Sequence, residues 1–169
     1  MTARSGPLAR RDLLTDLYWT AVQAAAPGPA LRASLAGRTI TPGRNIHLLA
    51  LGKAALPMAQ TAVALLAEQG MVPAGGLLVV PEPAVTPHPH LAVAVGEHPQ
   101  PGAGSLAAAE QLARAVAAVQ PGDEVWVLLS GGTTSLVGAP IPSIRTGDLT
   151  ALYRLLLGSG LDITAMNRV

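Results

Sequence analysis

A loop rich in glycine and hydroxyl residues follows the apolar run at residues 125–129. The run predicts a buried strand, because a short apolar segment followed by turn residues is typical of a sheet core. Ligands of open α/β sheets bind at the carboxyl ends of strands, where backbone N–H groups freed by glycine can face a phosphate or a carboxylate. The alternative is a tight turn whose hydroxyls cap the next element. The candidate ligand residues in this loop are Ser130, Gly131, Gly132, Thr133 and Thr134.

A second candidate for anion chemistry is Lys53, the single lysine beside ten arginines. Gly52-Lys53 follows a predicted strand at residues 46–51 and precedes a helical pattern. The amino terminus of a helix offers a phosphate free N–H groups and a favourable dipole. The spacing is not that of a Walker A loop, since His47 stands where its first glycine belongs and Ala54 where its Ser or Thr belongs. The alternative for Lys53 is a solvated lysine at the end of a helix.

Three histidines are the remaining candidates for site chemistry. His88 and His90 lie in and just after a proline-rich loop at residues 81–89, and His98 lies in a rigid turn at residues 96–102. A metal site built from the three is an alternative, but the chain has no cysteine and no histidine pair at i, i+4 on a predicted helix. We therefore expect polar loop residues and no metal ligands, with His98 held in place by the prolines around it.

Apolar side chains recur at helix and strand spacings along the rest of the chain. This pattern predicts strands at residues 46–51, 77–80, 91–95 and 125–129. It predicts helices at residues 12–25, 54–69 and 105–119, and one from Thr146 or Asp148 to residue 157. Strands alternating with helices over short connections predict an α/β fold with a Rossmann-like, mostly parallel sheet flanked by helices. We expect residues 1–11 to be a disordered lead-in and residues 12–169 to be one α/β domain.

Composition argues against several classes of protein. The net charge of +1 in 169 residues gives no electrostatic footprint for nucleic acid or an anionic membrane. No apolar run approaches the roughly 18 residues of a membrane-spanning helix. The lack of cysteine excludes disulfides and thiol chemistry. Arg10-Arg11 does not begin an export signal, since Asp12 and Asp16 interrupt the apolar region that would follow, so a cytoplasmic protein is expected.

Taken in order, short segments of the chain resemble the amino-terminal domain of the glycerate 2-kinases, the family whose carboxyl-terminal portion is called MOFRL. The resemblance covers nearly the whole chain after residue 10. The ordered set, rather than any one segment, makes it specific. The matching residues are Gly52 to Ala55 with Pro57, Met58 and Ala59, then Gly75 to Leu77, Pro81, His98, Pro99, Pro101, Ser130 to Gly132, Leu136, and Ser159, Gly160, Asp162, Ile163, Asn167 and Val169.

Members of that family use ATP and a divalent cation to phosphorylate the 2-hydroxyl of D-glycerate, and some are labelled hydroxypyruvate reductases. The resemblance implies that Lys53 meets the transferred phosphoryl group or the substrate carboxylate. It also implies that ATP and Mg²⁺ depend largely on a second domain. The residues it assigns to substrate and phosphate are Gly52, Ser130, Gly131, Gly132, Thr133 and Thr134, with His98 shaping the cleft and Asn167 touching the ligand.

The sequence departs from the family pattern in two places. The family's glycine loop reads Ser-Gly-Gly-Gly-Ser, and Thr133 occupies the position of the third glycine. Because a β-branched residue tolerates a positive φ poorly, either the loop is reshaped or this position needs no positive φ. The chain also stops at Val169, where family members continue. We therefore expect a truncated part of a two-domain enzyme that self-associates or pairs with the missing half.

Two other functions stand beside the kinase. One is a non-catalytic anion-binding or interaction module that keeps the fold without the reaction. The other is an oxidoreductase of the hydroxypyruvate reductase type, but its nicotinamide site normally needs GxGxxG after the first strand, which residues 51–55 do not provide. The kinase interpretation makes a geometric prediction: Lys53 and the loop at Ser130 share one cleft at adjacent carboxyl ends of strands.

Overall fold

A computed structural model describes residues 7–38, 40–41, 43–166 and 168 of the chain. Four strands form one sheet in which every neighbouring pair is parallel. The strands are β1 (Ile46–Leu51), β2 (Gly75–Val80), β3 (Leu91–Val95) and β4 (Glu124–Leu129). Their order across the sheet is β3-β2-β1-β4, so β1 and β2 are central while β3 and β4 lie at the edges. The predicted fold class is confirmed.

Seven helices precede, connect and follow the strands in the described part of the chain. They are α1 (Pro7–Ala24), α2 (Pro27–Leu35), α3 (Ala55–Glu68), α4 (Ala103–Ala117), α5 (Thr133–Leu136), α6 (Thr146–Gly158) and α7 (Ile163–Met166). None of the helices described is both long enough and apolar enough to pass through a bilayer.

The sheet has an apolar core on each face. On one face, Leu48 and Ala50 of β1 pack with buried residues of α3 such as Ala59 and Leu66. On the other face, Leu49 and Leu51 pack with residues of α4 and α5. Because side chains alternate along a strand, β1 is buried on both sides, which explains its nearly continuous apolar sequence.

Edge strand β4 is covered on one face only. Leu128 is buried in the core beneath α3, whereas Val125, Val127 and Leu129 are 37%, 54% and 63% exposed. The register places these three residues beside His47, Leu49 and Leu51 of β1, and therefore on the face that α4 covers elsewhere. Within the described residues, this strip of the sheet has no helix over it.

The first helix begins earlier than predicted. Residues 7–11 belong to α1, so the expected lead-in of residues 1–11 is wrong for that part. Proline is well suited to the first turn of a helix, because its fixed φ is helical and the N–H that it lacks would have no partner there. The same preference explains why Pro27 and Pro29 begin α2 rather than only ending the helix before it.

A network of side chains closes the amino ends of β1 and β4. The Asp123 carboxylate accepts hydrogen bonds from the Gln120 backbone N–H at 2.9 Å and the Asn45 side-chain amide at 3.0 Å. It also lies 3.0 Å from Nε2 of His47. These interactions, led by the Gln120 N–H, hold the pKa of Asp123 below its ordinary value.

Candidate functional site

The candidate site lies where the strand order reverses direction. From β1 the chain moves outward to β2 and β3, then returns to place β4 on the other side of β1. In open α/β sheets a crevice forms at such a point, between the loops that leave the two adjacent strands. Residues 52–54 leave β1 and residues 130–132 leave β4, so both predicted anion-binding segments lie at this crevice.

Hydrogen bonds join these two loops directly. The Lys53 N–H donates to the carbonyl of Gly131 at 2.9 Å, and the Ala54 N–H donates to Oγ of Ser130 at 3.0 Å. The Ser130 hydroxyl in turn donates to the carbonyl of Leu51 at 3.1 Å. The N–H groups of the two residues before α3 therefore bind the second loop. The strand–Gly–Lys–helix pattern alone had suggested that such groups would be directed at a ligand.

Glycine at position 52 is required by this close approach. Gly52 has a φ of +113°, and a Cβ on it would lie 2.8 Å from the carbonyl carbon of Ser130. Both the backbone conformation and the space exclude a side chain. The sequence signal Gly-Lys thus marks a crossing point of two loops.

The second loop brings Lys53 and His98 together over Gly132. A Cβ on Gly132 would lie 2.9 Å from Cδ2 of His98 and 3.4 Å from Cε of Lys53. Gly132 also has a φ of +89°, which favours glycine. Lys53, His98 and the glycine loop therefore share one cleft at the sheet edge, although His98 follows β3, two strands away from β1.

Thr133 does not occupy a left-handed conformation. It is the first residue of α5, and no residue other than glycine has a positive φ in the described part of the chain. The left-handed turn is made one residue earlier, by Gly132. The Thr133 hydroxyl lies 2.8 Å from the carbonyl of Ser130 and 3.1 Å from that of Leu51, so it binds backbone. Of the two alternatives for this position, the one requiring no positive φ is correct.

Several donors of the site remain open to a ligand. Lys53, Gly131 and Thr134 are exposed, and Lys53 forms no ion pair with any described residue. The backbone N–H groups of Gly131 and Gly132 donate no hydrogen bond to any residue that the structure describes. The cleft thus combines a flexible ammonium group with main-chain donors, which suits an anionic oxygen.

Glu97 fixes the His98 turn to the amino terminus of α4. Its carboxylate accepts hydrogen bonds from the N–H groups of Gly104 at 3.0 Å and Ser105 at 2.7 Å, and from the Ser105 hydroxyl at 3.0 Å. Burial would raise the pKa of Glu97, but these hydrogen bonds outweigh it and hold the pKa below the ordinary value. The partners lie seven and eight positions from Glu97, so no local pattern of the sequence indicated these contacts.

Helix α6 connects the loops on the outer side of the site. The Thr150 hydroxyl donates to the carbonyl of Pro101 at 3.1 Å, and the Tyr153 hydroxyl donates to that of Thr134 at 3.3 Å. Burial raises the pKa of Tyr153. Neither residue was predicted, because an amphipathic helix gives no sign of which loop its polar groups will meet.

The three candidate histidines do not form one cluster. His88 and His90 pair with each other, with ring centroids 4.7 Å apart, and Nδ1 of His90 lies 2.8 Å from the carbonyl of Pro73. His98 lies instead at Gly132. Across the described residues, no three His, Asp or Glu side chains are grouped so that they could hold a metal ion. The last predicted ligand residue, Asn167, lies outside the described residues.

Comparison with known proteins identifies the family. Residues 13–169 match the family model described as "Domain of unknown function (DUF4147)". The chain belongs to this family. DUF4147 is the amino-terminal domain of MOFRL-type glycerate kinases, so the predicted family is confirmed.

Relatives of this DUF4147 chain carry two different names. A rat glycerate kinase is 31% identical over 184 residues, which cover 96% of this chain and 35% of the rat protein. A protein of Agrobacterium vitis, provisionally named a hydroxypyruvate reductase, is 31% identical over 159 residues, or 94% of this chain and 35% of that protein. The chain spans about a third of the length of these curated relatives.

A solved structure supports the same fold. The crystal structure of glycerate kinase from Thermotoga maritima matches with a TM-score of 0.73 and 25% sequence identity. The match covers 96% of this chain and 38% of that one.

Proposed function

We propose that this DUF4147 domain binds the acceptor substrate of a glycerate 2-kinase, an enzyme that transfers the γ-phosphoryl group of ATP to the 2-hydroxyl of D-glycerate. One observation carries the proposal: in the crevice between β1 and β4, Cε of Lys53 lies 3.4 Å from where a Cβ on Gly132 would be, in a loop whose Gly131 and Gly132 N–H groups donate no hydrogen bond to the described residues. The glycerate kinase names of relatives that align with almost the whole chain support it.

Phosphoryl transfer to D-glycerate needs no covalent bond between the protein and the transferred group. Phosphoryl transfer to a hydroxyl depends on positioning the acceptor and stabilising the charge on the transferred group. In the proposal, Lys53 meets the carboxylate of D-glycerate or an oxygen of the transferred phosphoryl group. The N–H groups of Gly131 and Gly132 and the hydroxyl of Thr134 contact the remaining anionic oxygens. His98 shapes the cleft, and Asn167 stays a proposed ligand.

The kinase reaction also needs ATP and Mg²⁺, for which the described residues show no site. Mg²⁺ is usually held by one or two carboxylates together with waters and substrate phosphates. The carboxylate next to His98 in the sequence, Glu97, accepts hydrogen bonds from Gly104 and Ser105 at the start of α4, and no three acidic or histidine side chains of the described residues are grouped. The described residues of the site therefore do not fit a Mg²⁺ site, and we assign them no step that passes through the metal. We propose that the regions which the longer relatives have beyond the aligned part hold ATP and its cation.

The other two functions make different predictions. A non-catalytic anion-binding module would keep binding at Lys53 without turnover. A hydroxypyruvate reductase would need a dinucleotide site after β1, but the N–H groups of Lys53 and Ala54 bind Gly131 and Ser130 there. That observation favours the kinase and the binding module over the reductase.

The decisive experiment measures D-glycerate binding by calorimetry and phosphorylation with Mg²⁺ and ATP, for the chain and for Lys53→Ala. Loss of a charge-assisted contact is expected to weaken binding about 10- to 100-fold. The matched control is Arg44→Ala, which removes one exposed cation from the loop before β1, at the opposite end of the sheet.

Equal affinity in Lys53→Ala and the unchanged chain would overturn the proposed site. Phosphorylation that disappears in Lys53→Ala and persists in Arg44→Ala would support the kinase directly. Binding that depends on Lys53 without any turnover would favour the anion-binding module for this chain.

A further inference from the structure

We infer that Ser130 is a positioning residue for Lys53 and does not itself contact the substrate. The effect of Ser130 on substrate binding rests on the proposed function, in which Lys53 contacts D-glycerate. Ser130 had been predicted from the sequence to bind an anionic oxygen. The bonds that its hydroxyl makes within the protein indicate a different task.

The Ser130 hydroxyl is engaged as both donor and acceptor. Its proton is directed to the carbonyl of Leu51 at 3.1 Å, and its oxygen accepts the N–H of Ala54 at 3.0 Å. A hydroxyl has one proton to donate. A substrate oxygen therefore finds no free proton on Ser130 unless the bond to Leu51 is broken.

These bonds flank Lys53 along the chain. Leu51 precedes it by two residues and Ala54 follows it directly, and both bind Ser130. The N–H of Lys53 itself donates to the carbonyl of Gly131 at 2.9 Å. Three backbone groups around Lys53 are thus hydrogen-bonded to the loop after β4: the Leu51 carbonyl, the Lys53 N–H and the Ala54 N–H.

Helix α3 has no side-chain cap of its own. The residue before its first turn is Ala54, which offers no side-chain oxygen. Helix starts normally have a Ser, Thr, Asp or Asn at that position, whose side-chain oxygen accepts the N–H of the second or third helical residue. Ser130, 76 residues further along the chain, instead accepts the N–H of Ala54 itself, as the third-residue side chain of a capping box does. One serine therefore stabilises the start of α3 and orients the lysine next to it.

The single lysine makes this inference measurable. Reductive methylation with ¹³C-formaldehyde would label only Lys53 and the amino terminus, because the chain has no other lysine. The labelled Lys53 methyl resonance reports its surroundings, and titration with D-glycerate gives the affinity at the same nucleus. Amide exchange at Ala54 reports the hydrogen bond from Ser130 independently.

Three variants test the assignment. Ser130→Ala is expected to shift the Lys53 resonance, speed exchange at Ala54 and weaken D-glycerate binding about threefold to tenfold, the range for one lost hydrogen bond. Ser130→Thr keeps the hydroxyl, and its Lys53 methyl resonance is expected at the position found in the unchanged chain. The matched control Ser159→Ala removes the Ser159 hydroxyl at the exposed carboxyl end of α6 and should change none of the three readouts.

The outcomes separate this inference from the proposed function. If Ser130→Ala leaves the Lys53 resonance and the D-glycerate affinity unchanged, Ser130 does not position Lys53, although the site still binds substrate. If D-glycerate fails to bind the unchanged chain while Ser130→Ala still shifts the resonance, the positioning role stands and the proposed function fails. If Ser130→Ala does not fold, a Ser130→Thr protein with an unperturbed Lys53 resonance supports the inference, and one with a shifted resonance and normal Ala54 exchange contradicts it.

Discussion

At the amino ends of β1 and β4, side chains surround the Asp123 carboxylate with donors, whereas at their carboxyl ends the backbones of two loops bind each other. Asp123 accepts hydrogen bonds from Asn45 and Gln120 and pairs with His47. At the other end, Lys53 N–H and Ser130 form the links, and the Lys53 ammonium remains exposed.

The difference shows how one strand pair can be closed at one end and receptive at the other. Where side chains satisfy each other, as around Asp123, no group is left to bind a ligand. Where backbone groups carry the contacts between loops, side chains such as Lys53 are released to face solvent. Three substitutions would each alter one end of this strand pair or the turn that carries His98, and leave the other end intact.

The largest effect is expected from Gly52→Ala at the carboxyl end. The new Cβ would meet the backbone of Ser130, and the φ of +113° would be strained for alanine. Strain and overlap with backbone together are expected to cost about 3 kcal/mol or more in the free energy of unfolding, measured with urea. The matched control is Gly131→Ala, since a Cβ at Gly131 meets nothing within 4 Å. Equal stability of the two variants would show that the loops do not cross as closely as described.

A smaller, pH-dependent effect is expected from Asp123→Ala at the amino end. Because the folded state lowers the pKa of Asp123 below 3.8, its ionised form stabilises the protein above that pH, and this contribution is lost as the pH falls through the lowered pKa. The variant should therefore be less stable than the unchanged protein at neutral pH, and the difference in stability should narrow as the pH falls below 3.8. Urea midpoints measured across this range check it. A gap that widens in acid would contradict the role given to the carboxylate.

The smallest of the three effects is expected from Glu97→Gln, in the turn that carries His98. The amide keeps one acceptor oxygen but loses the charge at the amino terminus of α4, which should cost about 1 kcal/mol. Since the pKa of Glu97 is also lowered, this contribution is present near neutral pH and lost in acid. Thermal unfolding at neutral and acid pH measures it, with Glu110→Gln in the exposed middle of α4 as the control. An equal loss of thermal stability in both variants would mean that any negative charge on α4 or its flanks has this effect, and that the position of Glu97 in the turn is not what matters.

Local periodicity predicted most of the fold. The bounds of β1 and β3 match the predicted strands because apolar runs end at Gly52 and Gly96. The start of α4 was predicted at residue 105, but the helix begins at Ala103. Ser105 is instead buried, with its hydroxyl bonded to Glu97, a partner that no local rule could indicate.

The candidate site was predictable in place but not in detail. Strand ends rich in glycine and hydroxyls indicated the crevice, and Lys53 was distinctive in composition. Which hydroxyls would face a ligand depended on how closely the two loops approach. That approach is set by Gly52, whose partner Ser130 is 78 positions away. Spacing in the sequence carries no information about such a contact.

The bare strip on β4 has a practical meaning for handling the protein. β4 is a regular edge strand with the sequence Glu-Val-Trp-Val-Leu-Leu, and it carries no lysine, proline or bulge of the kind that discourages strand addition. The exposed side chains of Val125, Val127 and Leu129 add an apolar surface beside the backbone groups of this edge strand that have no neighbouring strand. Sulfate-rich, salting-out buffers strengthen the attraction between such surfaces. Colloidal stability is therefore best sought in dilute solutions without such salts, and preparations that turn cloudy should be examined first for intermolecular sheet at β4.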